Sequence, residues 1–315
     1  MVESRTDVVF ANLTYGFHTG PIGRLSEMPS VLYLNEPFRW LYEAQPDWPW
    51  NAIPPSRCRV WTPSYLRWFI EDAIEVQTKR VKAREESRNA RAYDRILVNS
   101  LFTRETVLRT YGCDARVCYL GVDADVFKPT PGPRDNLVVG VGVVRPRKRV
   151  HRAIEAVATV PAARRPALVW IGNAVDERYA RRLHALAEDL SVAFKIRSRI
   201  TDAELSATLA RAKAMIYAPR LEPFGLAPLE ANACETPVVA VAEGGVRETI
   251  RHGVNGLVVQ DDTPRMLGDA LDGLLSNPQR LAKMGRQGRE LVLREWSWST
   301  AIDRLEGQLM DVCGA

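Results

Sequence analysis

The sequence predicts an α/β protein of two doubly wound parallel-sheet domains. Three observations carry this. Short apolar runs such as Leu137 to Val144, Ala167 to Ile171, Met215 to Tyr217 and Val238 to Ala242 alternate with longer stretches of helical periodicity. Near-continuous apolar strands separated by helices are the pattern of a parallel sheet covered on both faces. A cluster of Pro129, Pro131, Gly132 and Pro133 interrupts the alternation once, and the 315 residues, 46% hydrophobic and 26% charged, suffice for two domains. The expected division is residues 1–134, with a linker near 128–134, then 135–296, then a C-terminal helix over 297–315 that packs back toward the N-terminal domain.

In chain order, residues 7–10 and 31–34 read as short buried strands with room for a small helix between them. No glycine-rich turn follows the first of these, where a complete nucleotide-type half-domain often places one. Residues 41–63 are rich in Trp and Pro and predict an ordered, irregular loop. Ser64 is a candidate N-cap for a long helix with Leu66, Phe69, Ile70, Ala73, Ile74 and Val81 at helical spacing. Its later part, Lys79 to Arg91, holds six basic residues against Glu85 and Glu86; it reads as a solvated face or as a patch for a phosphate or a membrane surface. Arg95 to Asn99 is then a strand, Ser100 a cap, and Phe102 to Tyr111 a helix closed by Gly112. Asp123 and Asp125 form an Asp-x-Asp that reads better as a turn before the linker than as a metal-diphosphate site.

Beyond the linker, Leu137 to Val144 is a strand and Val150 to Val160 a helix, followed by the strand at Ala167 to Ile171 and a helix over Glu177 to Leu190. Phe194 to Ile196 is a further strand. Thr201 caps a helix through Ala212, with Asp202 and Glu204 in its first turn. Strands at Met215 to Tyr217, Val238 to Ala242 and Leu257 to Val259 complete the set. Such sheets take ligands at the carboxyl ends of their strands.

Several classes are excluded or weakened. No apolar run approaches the roughly 20 residues that cross a bilayer, and the first seven residues form no signal peptide; a cytoplasmic protein is expected. Five scattered cysteines lack paired Cys-x-x-Cys spacing and four histidines lack a metal-hydrolase pattern, so no metal is expected. A net charge of +5 favours acidic partners, phosphates or an anionic membrane face. Nucleic acid has only that charge in its favour and is not expected.

The chemistry gathers in two stretches. Gly140-Val141-Gly142 ends a strand but lacks the third glycine of a dinucleotide fingerprint; Arg145, Pro146, Arg147, Lys148 and Arg149 follow instead, a composition suited to capturing phosphate. Glu222 to Glu230 runs from a turn after one strand into a helix. Were most of it helical, its two carboxylates would stand up to about 12 Å apart, flanking a helix start that favours a diphosphate. Taken alone, the pair reads at least as well as two solvated glutamates.

The ordered set resolves this. Val-Gly followed by Pro-Arg-Lys, then Val169-Trp170-Ile171-Gly172, Thr201-Asp202-Ala203-Glu204-Leu205, Glu222-x7-Glu230, Thr236-Pro237-Val238, Gly244-Gly245-x-x-Glu248 and Asn255-Gly256 resembles a retaining glycosyltransferase of family 4, with the two-domain GT-B architecture. Val31 to Arg39, Val98-Asn99-Ser100 and Gly121-Val122-Asp123 agree more loosely. The resemblance implies a metal-independent transferase without a cofactor. It would move a hexose, mannose or glucose type, from a nucleotide-diphosphate sugar to a glycan or lipid-linked acceptor, through an oxocarbenium-like state and with retention. It implies that Lys148 neutralises the diphosphate, Glu222 contacts sugar hydroxyls and Glu230 holds the ribose. Arg145, Arg147, Gly142, Gly172 and the backbone of Phe224, Gly225 and Leu226 complete the donor side, and Asn35 and Arg39 stand on the acceptor side. A lipid-linked acceptor agrees with peripheral contact at the inner face of an anionic membrane.

The departures are specific. Val143 stands where the family usually has Arg, Asn35 where it has His, and Ser198 and Glu235 where glycine is common. The family's first strand, its glycine-rich turn and two or three units of about 30 residues each are expected to be missing, leaving a sheet edge to be covered by an extension or a partner. The alternative reading is an impaired or truncated relative that binds nucleotide sugar or glycan without transfer.

Overall fold

The computed structural model describes residues 7–14, 16–41 and 62–314. Most of the Trp- and Pro-rich stretch, with Cys58, lies outside them. The chain forms two compact units, residues 1–118 with 305–315, and residues 119–304.

The first unit holds a four-stranded parallel sheet, β1 (Val9–Asn12), β2 (Ser30–Leu34), β3 (Arg95–Val98) and β4 (Arg116–Val117), in the order β1-β2-β3-β4. All five β2 residues are buried, whereas β1 alternates between half-buried and exposed. Among the described residues β1 pairs only with β2, so it is an edge strand.

Helix α1 (Pro63–Ala90) starts earlier than predicted: Thr62, not Ser64, caps it, its hydroxyl accepting from Tyr65 N with Pro63 in the first turn. Proline lacks the N–H that the first turn leaves unpaired, which favours that start. The apolar residues at helical spacing are largely open: Leu66, Ile70 and Ile74 are 59%, 49% and 60% exposed. The side of α1 that packs inward presents Val76, Glu86, Asn89 and Ala90. Helix α2 (Leu101–Tyr111) has the expected Ser100 cap and ends on Gly112 at φ 66°.

The second unit is a six-stranded parallel sheet: β5 (Leu137–Val141), β6 (Ala167–Ile171), β7 (Phe194–Arg197), β8 (Ala214–Tyr217), β9 (Val238–Val241) and β10 (Gly256–Val259), ordered β10-β9-β8-β5-β6-β7. The chain builds outward from β5 to β7, returns to the other side of β5 as β8, and continues to β10. The order therefore reverses between β5 and β8. Helices α3 (Val150–Thr159), α4 (Glu177–Asp189), α5 (Asp202–Arg211), α6 (Leu226–Ala233), α7 (Val246–Thr249), α8 (Pro264–Leu275) and α9 (Pro278–Glu295) connect and cover the strands.

Alternation along the strands feeds two cores. Val138, Leu168, Trp170, Ile216 and Val239 pack on one face, and Val139, Met215, Tyr217, Val238 and Ala240 on the other. Trp170 is wholly buried, and its indole N–H donates to the Gly142 carbonyl at 2.8 Å. Helix α10 (Trp298–Cys313) starts in the second unit and ends in the first, where Asp311 pairs with Arg95 at 2.5 Å and Arg116 at 2.6 Å. No described helix is long and apolar enough to cross a membrane.

Candidate functional site

The strand order reverses between β5 and β8, and the carboxyl ends of strands at such a reversal are where open α/β sheets bind ligands. The two sequence-predicted groups arrive from the two sides of that reversal. Lys148 lies in a tight 3-10 turn, Pro146–Lys148, that follows β5; Glu222 lies in the turn that follows β8. Lys148 Nζ donates to Glu222 Oε2 at 2.6 Å, with both side chains mostly buried. The Tyr217 phenol at the end of β8 also hydrogen-bonds Glu222; burial, and then the Glu222 charge, push its ionisation far above the ordinary value. Sequence reasoning missed Tyr217, which read only as an apolar strand residue.

The backbone around Glu222 is held by a neighbouring turn. Gly245 N–H donates to the Glu222 carbonyl at 2.8 Å, and Gly244, at φ 63°, lies so close that a Cβ there would sit 2.3 Å from that oxygen. The Gly244-Gly245-x-x-Glu248 motif is thus a wedge against the turn carrying Glu222. Its Glu248 accepts from the Tyr119 hydroxyl at 3.0 Å, and burial, then the Glu248 charge, push Tyr119 up to about 12. Tyr119 and Trp296 pack on Phe224, which is 3% exposed, so the Phe224 ring belongs to the core and only its backbone can meet a ligand.

Helix α6 opens at Leu226 behind Gly225, at φ 102°. Pro223 and the left-handed Gly225 keep the first half of the Glu222 to Glu230 interval out of the helix, so the 12 Å reach of a continuous helix does not apply. The first N–H groups of α6 have no partner within the helix and carry its positive end, which suits an anion. Glu230, one turn in, borders a cavity of about 220 Å³ within the second unit, shared with Asp123, Phe127, Asp202 and Trp298. Burial, and then the Asp202 charge, raise its carboxyl to about 7.

The remaining predicted groups are distributed as follows. Gly142 and Gly172 stack backbone on backbone: a Cβ on Gly172 would meet the Gly142 carbonyl oxygen at 2.1 Å. They set the approach of the β5 and β6 ends. Arg145 and Arg147 are both exposed, Arg147 within the 3-10 turn that holds Lys148 and Arg145 just before it. Arg149, which follows Lys148 at φ 53°, pairs with Asp262. Val143, in the position that the resemblance assigns to Arg, brings no charge. Asp123 closes a turn, its carboxylate accepting from Asp125 N at 2.9 Å and Val126 N at 3.2 Å. Asn35 and Arg39 belong to the first unit, after β2, with Arg39 paired to Glu36 at 2.6 Å.

Residues 122–291, more than half of the chain, match the family described as Glycosyl transferases group 1. The chain belongs to that family. Among curated relatives of this glycosyltransferase family, D-inositol 3-phosphate glycosyltransferase of Gordonia bronchialis is 31% identical over 236 residues, 67% of this chain and 51% of the relative. The GDP-mannose-dependent alpha-(1-6)-phosphatidylinositol monomannoside mannosyltransferase of Mycobacterium tuberculosis is 33% identical over 232 residues, 65% and 59% of the two chains. The chain thus spans between half and three-fifths of the length of these relatives. Among solved structures, Anabaena HepE, crystallised with UDP and glucose, superposes with a TM-score of 0.74 at 19% identity, covering 98% of this chain and 79% of the other. WaaG, a glycosyltransferase involved in lipopolysaccharide biosynthesis, gives 0.67 at 17% identity, covering 100% and 80%. These likenesses establish the fold, two Rossmann-like parallel-sheet domains of the GT-B class.

Proposed function

We propose that the protein is a retaining hexosyltransferase that takes a mannose- or glucose-type sugar from a nucleotide diphosphate and delivers it to a glycan or lipid-linked acceptor. The observation that carries this is the Lys148–Glu222 pair across the strand-order reversal, beside the start of α6. In this reading residues 135–296 bind the donor and residues 1–134 the acceptor. The diphosphate lies against the first N–H groups of α6, and Lys148 and Arg147 neutralise the charge that grows as the glycosidic bond breaks. An ammonium has three donors, so Lys148 serves a phosphate while keeping Glu222 in place. Glu222 receives sugar hydroxyls and Glu230 those of the ribose. The acceptor oxygen attacks from the face that the diphosphate leaves, which gives retention and assigns no role to a metal. The relatives named for inositol 3-phosphate and phosphatidylinositol monomannoside support an acceptor of this class; for a lipid-linked acceptor this reading puts the reaction at the cytoplasmic face of a membrane.

The test is turnover of GDP-mannose and UDP-glucose by wild type, Lys148→Ala and Glu222→Ala. A loss of about 10²-fold or more is expected, the scale of removing one preorganised transition-state contact; donor turnover equal to wild type in both variants refutes the assignment. The neutral Val143 favours one other reading, a protein that binds nucleotide sugar without transfer. Calorimetric donor binding with neither transfer nor hydrolysis is its signature.

A further inference from the structure

In the first unit the loop after β1 carries His18, which no motif singles out. Its backbone is fixed by Glu86, a carboxylate of α1 with 0% exposure. Glu86 accepts from His18 N at 2.7 Å, Thr19 N at 3.0 Å, the Thr19 hydroxyl at 2.9 Å and the Tyr111 hydroxyl at 3.0 Å. Burying a carboxylate is costly even when it is well bonded, and here three of the four bonds hold residues 18 and 19 in place. Asn89, one turn further along α1, adds a bond to the Thr19 carbonyl at 2.9 Å.

The ring is fixed as tightly as the backbone. His18 Nδ1 is 2.7 Å from the Glu36 carbonyl oxygen. A carbonyl only accepts, so Nδ1 carries the hydrogen, and the neutral ring presents the lone pair of Nε2 on its opposite edge. The ring stacks on Phe38 with centroids 3.7 Å apart, and Trp40 lies 6.1 Å beyond Phe38. Nε2 bonds to no described residue.

Asn35 immediately precedes Glu36. Its carbonyl is held by Asn99 Nδ2 at 3.1 Å, and Asn99 by the Thr103 hydroxyl at 2.8 Å. Its side-chain oxygen is buried without a hydrogen-bond partner among the described residues. Leaving such an atom unpaired is unfavourable. The His18 ring is tied to the segment that leaves β2 through Nδ1 and the Glu36 carbonyl, and its Nε2 is an acceptor without a partner among the described residues. A lone pair at Nε2 takes a hydroxyl hydrogen, while Lys82 Nζ, 5.2 Å from the Phe38 centroid, is a nearby group that would draw an anion instead, so phosphate is the competing probe. The flanking aromatic faces suit the C–H face of a saturated ring.

We propose that His18 is a positioning residue for the acceptor, receiving at Nε2 a hydroxyl of a sugar or cyclitol ring seated at the end of β2 beside Asn35. Its meaning as an acceptor site rests on the glycosyltransferase reading; the binding itself does not. With only four histidines in the chain, the imidazole nitrogens of ¹⁵N-labelled full-length protein are separable, and His18→Asn assigns the signal. Titration with methyl α-D-mannopyranoside or myo-inositol is expected to move the His18 Nε2 resonance to saturation, and inorganic phosphate to leave it in place. No shift with either polyol, or a shift with phosphate alone, overturns the proposal.

Two variants separate contact from scaffolding. Asn keeps a donor for the Glu36 carbonyl but loses the far edge of the ring; Gln reaches the far edge but loses that anchor. With GDP-mannose and methyl α-D-mannopyranoside as substrates, His18→Asn is expected to raise the acceptor KM about tenfold while the donor KM holds, and His18→Gln to stay within about threefold of wild type. The reverse order would show that the ring serves only to hold the loop. A wild type whose His18 answers polyols but which neither binds nor consumes any donor sinks the proposed function and leaves this site standing.

Discussion

Replacing Glu230 by glutamine is expected to stabilise the protein, but only at high pH. The carboxyl titrates near 7 in the folded chain against an ordinary 4.5, because burial, and then the Asp202 charge, oppose its ionisation. Between those values the native state holds a proton that the unfolded chain has released, so stability falls as pH rises. The contribution is fully present below about 4.5 and gone once pH has passed about 7. The interval from 4.5 to about 7, at about 1.4 kcal/mol per pH unit, sets an upper limit of about 3 kcal/mol. Partial access through the cavity lowers the expectation to about 1–2 kcal/mol. Urea unfolding of wild type and Glu230→Gln at pH 5 and pH 8.5 reads this directly. The two proteins should be nearly equal at pH 5, where the protonated carboxyl resembles the amide, and the variant should gain at pH 8.5. A gain of the same size at both pH values would refute the reasoning. At pH 8.5, where the carboxyl is ionised, donor affinity should fall about tenfold in the same variant, since the amide replaces a charged acceptor with a neutral one.

Three further outcomes follow from the geometry. Gly244→Ala forces a Cβ to within 2.3 Å of the Glu222 carbonyl at φ 63°; a loss of about 1–3 kcal/mol in denaturant unfolding is expected, with a drop in donor turnover as Glu222 shifts. Glu235 sits at φ 59°, so Glu235→Gly should raise stability by about 0.5–1 kcal/mol, the relief of the left-handed strain less the added chain entropy. Arg147→Ala should weaken UDP binding in calorimetry, because Arg147 shares the 3-10 turn with Lys148.

The grouping of Lys148 with Glu222, which we propose as the donor site, was largely legible because its parts are local. The strand ends carrying Gly142, Gly172, Lys148 and Glu222 are marked by apolar runs that stop at glycines and charges, and the strand-order reversal then brings Lys148 and Glu222 together. What the sequence hid depends on distant partners or on backbone angle. Glu86 read as one of two acids in a basic helical run, and nothing local shows that residues 18, 19 and 111 would bury it. The exposed stripe of Leu66, Ile70 and Ile74 has the period of a core face, but period does not say which neighbour covers it. Arg149 and Arg199 adopt left-handed angles of 53° and 55° without being glycine, so composition could not mark those turns; the strained residue is Arg199 rather than the neighbouring Ser198.

The central claim is that a nucleotide diphosphate seats between the ends of β5 and β8. A crystal structure of the protein with bound UDP tests it most directly. The account predicts the diphosphate against the first turn of α6, within hydrogen-bond distance of Lys148 Nζ, with the ribose on Glu230. UDP bound elsewhere, with Lys148 and Glu222 untouched, would contradict it.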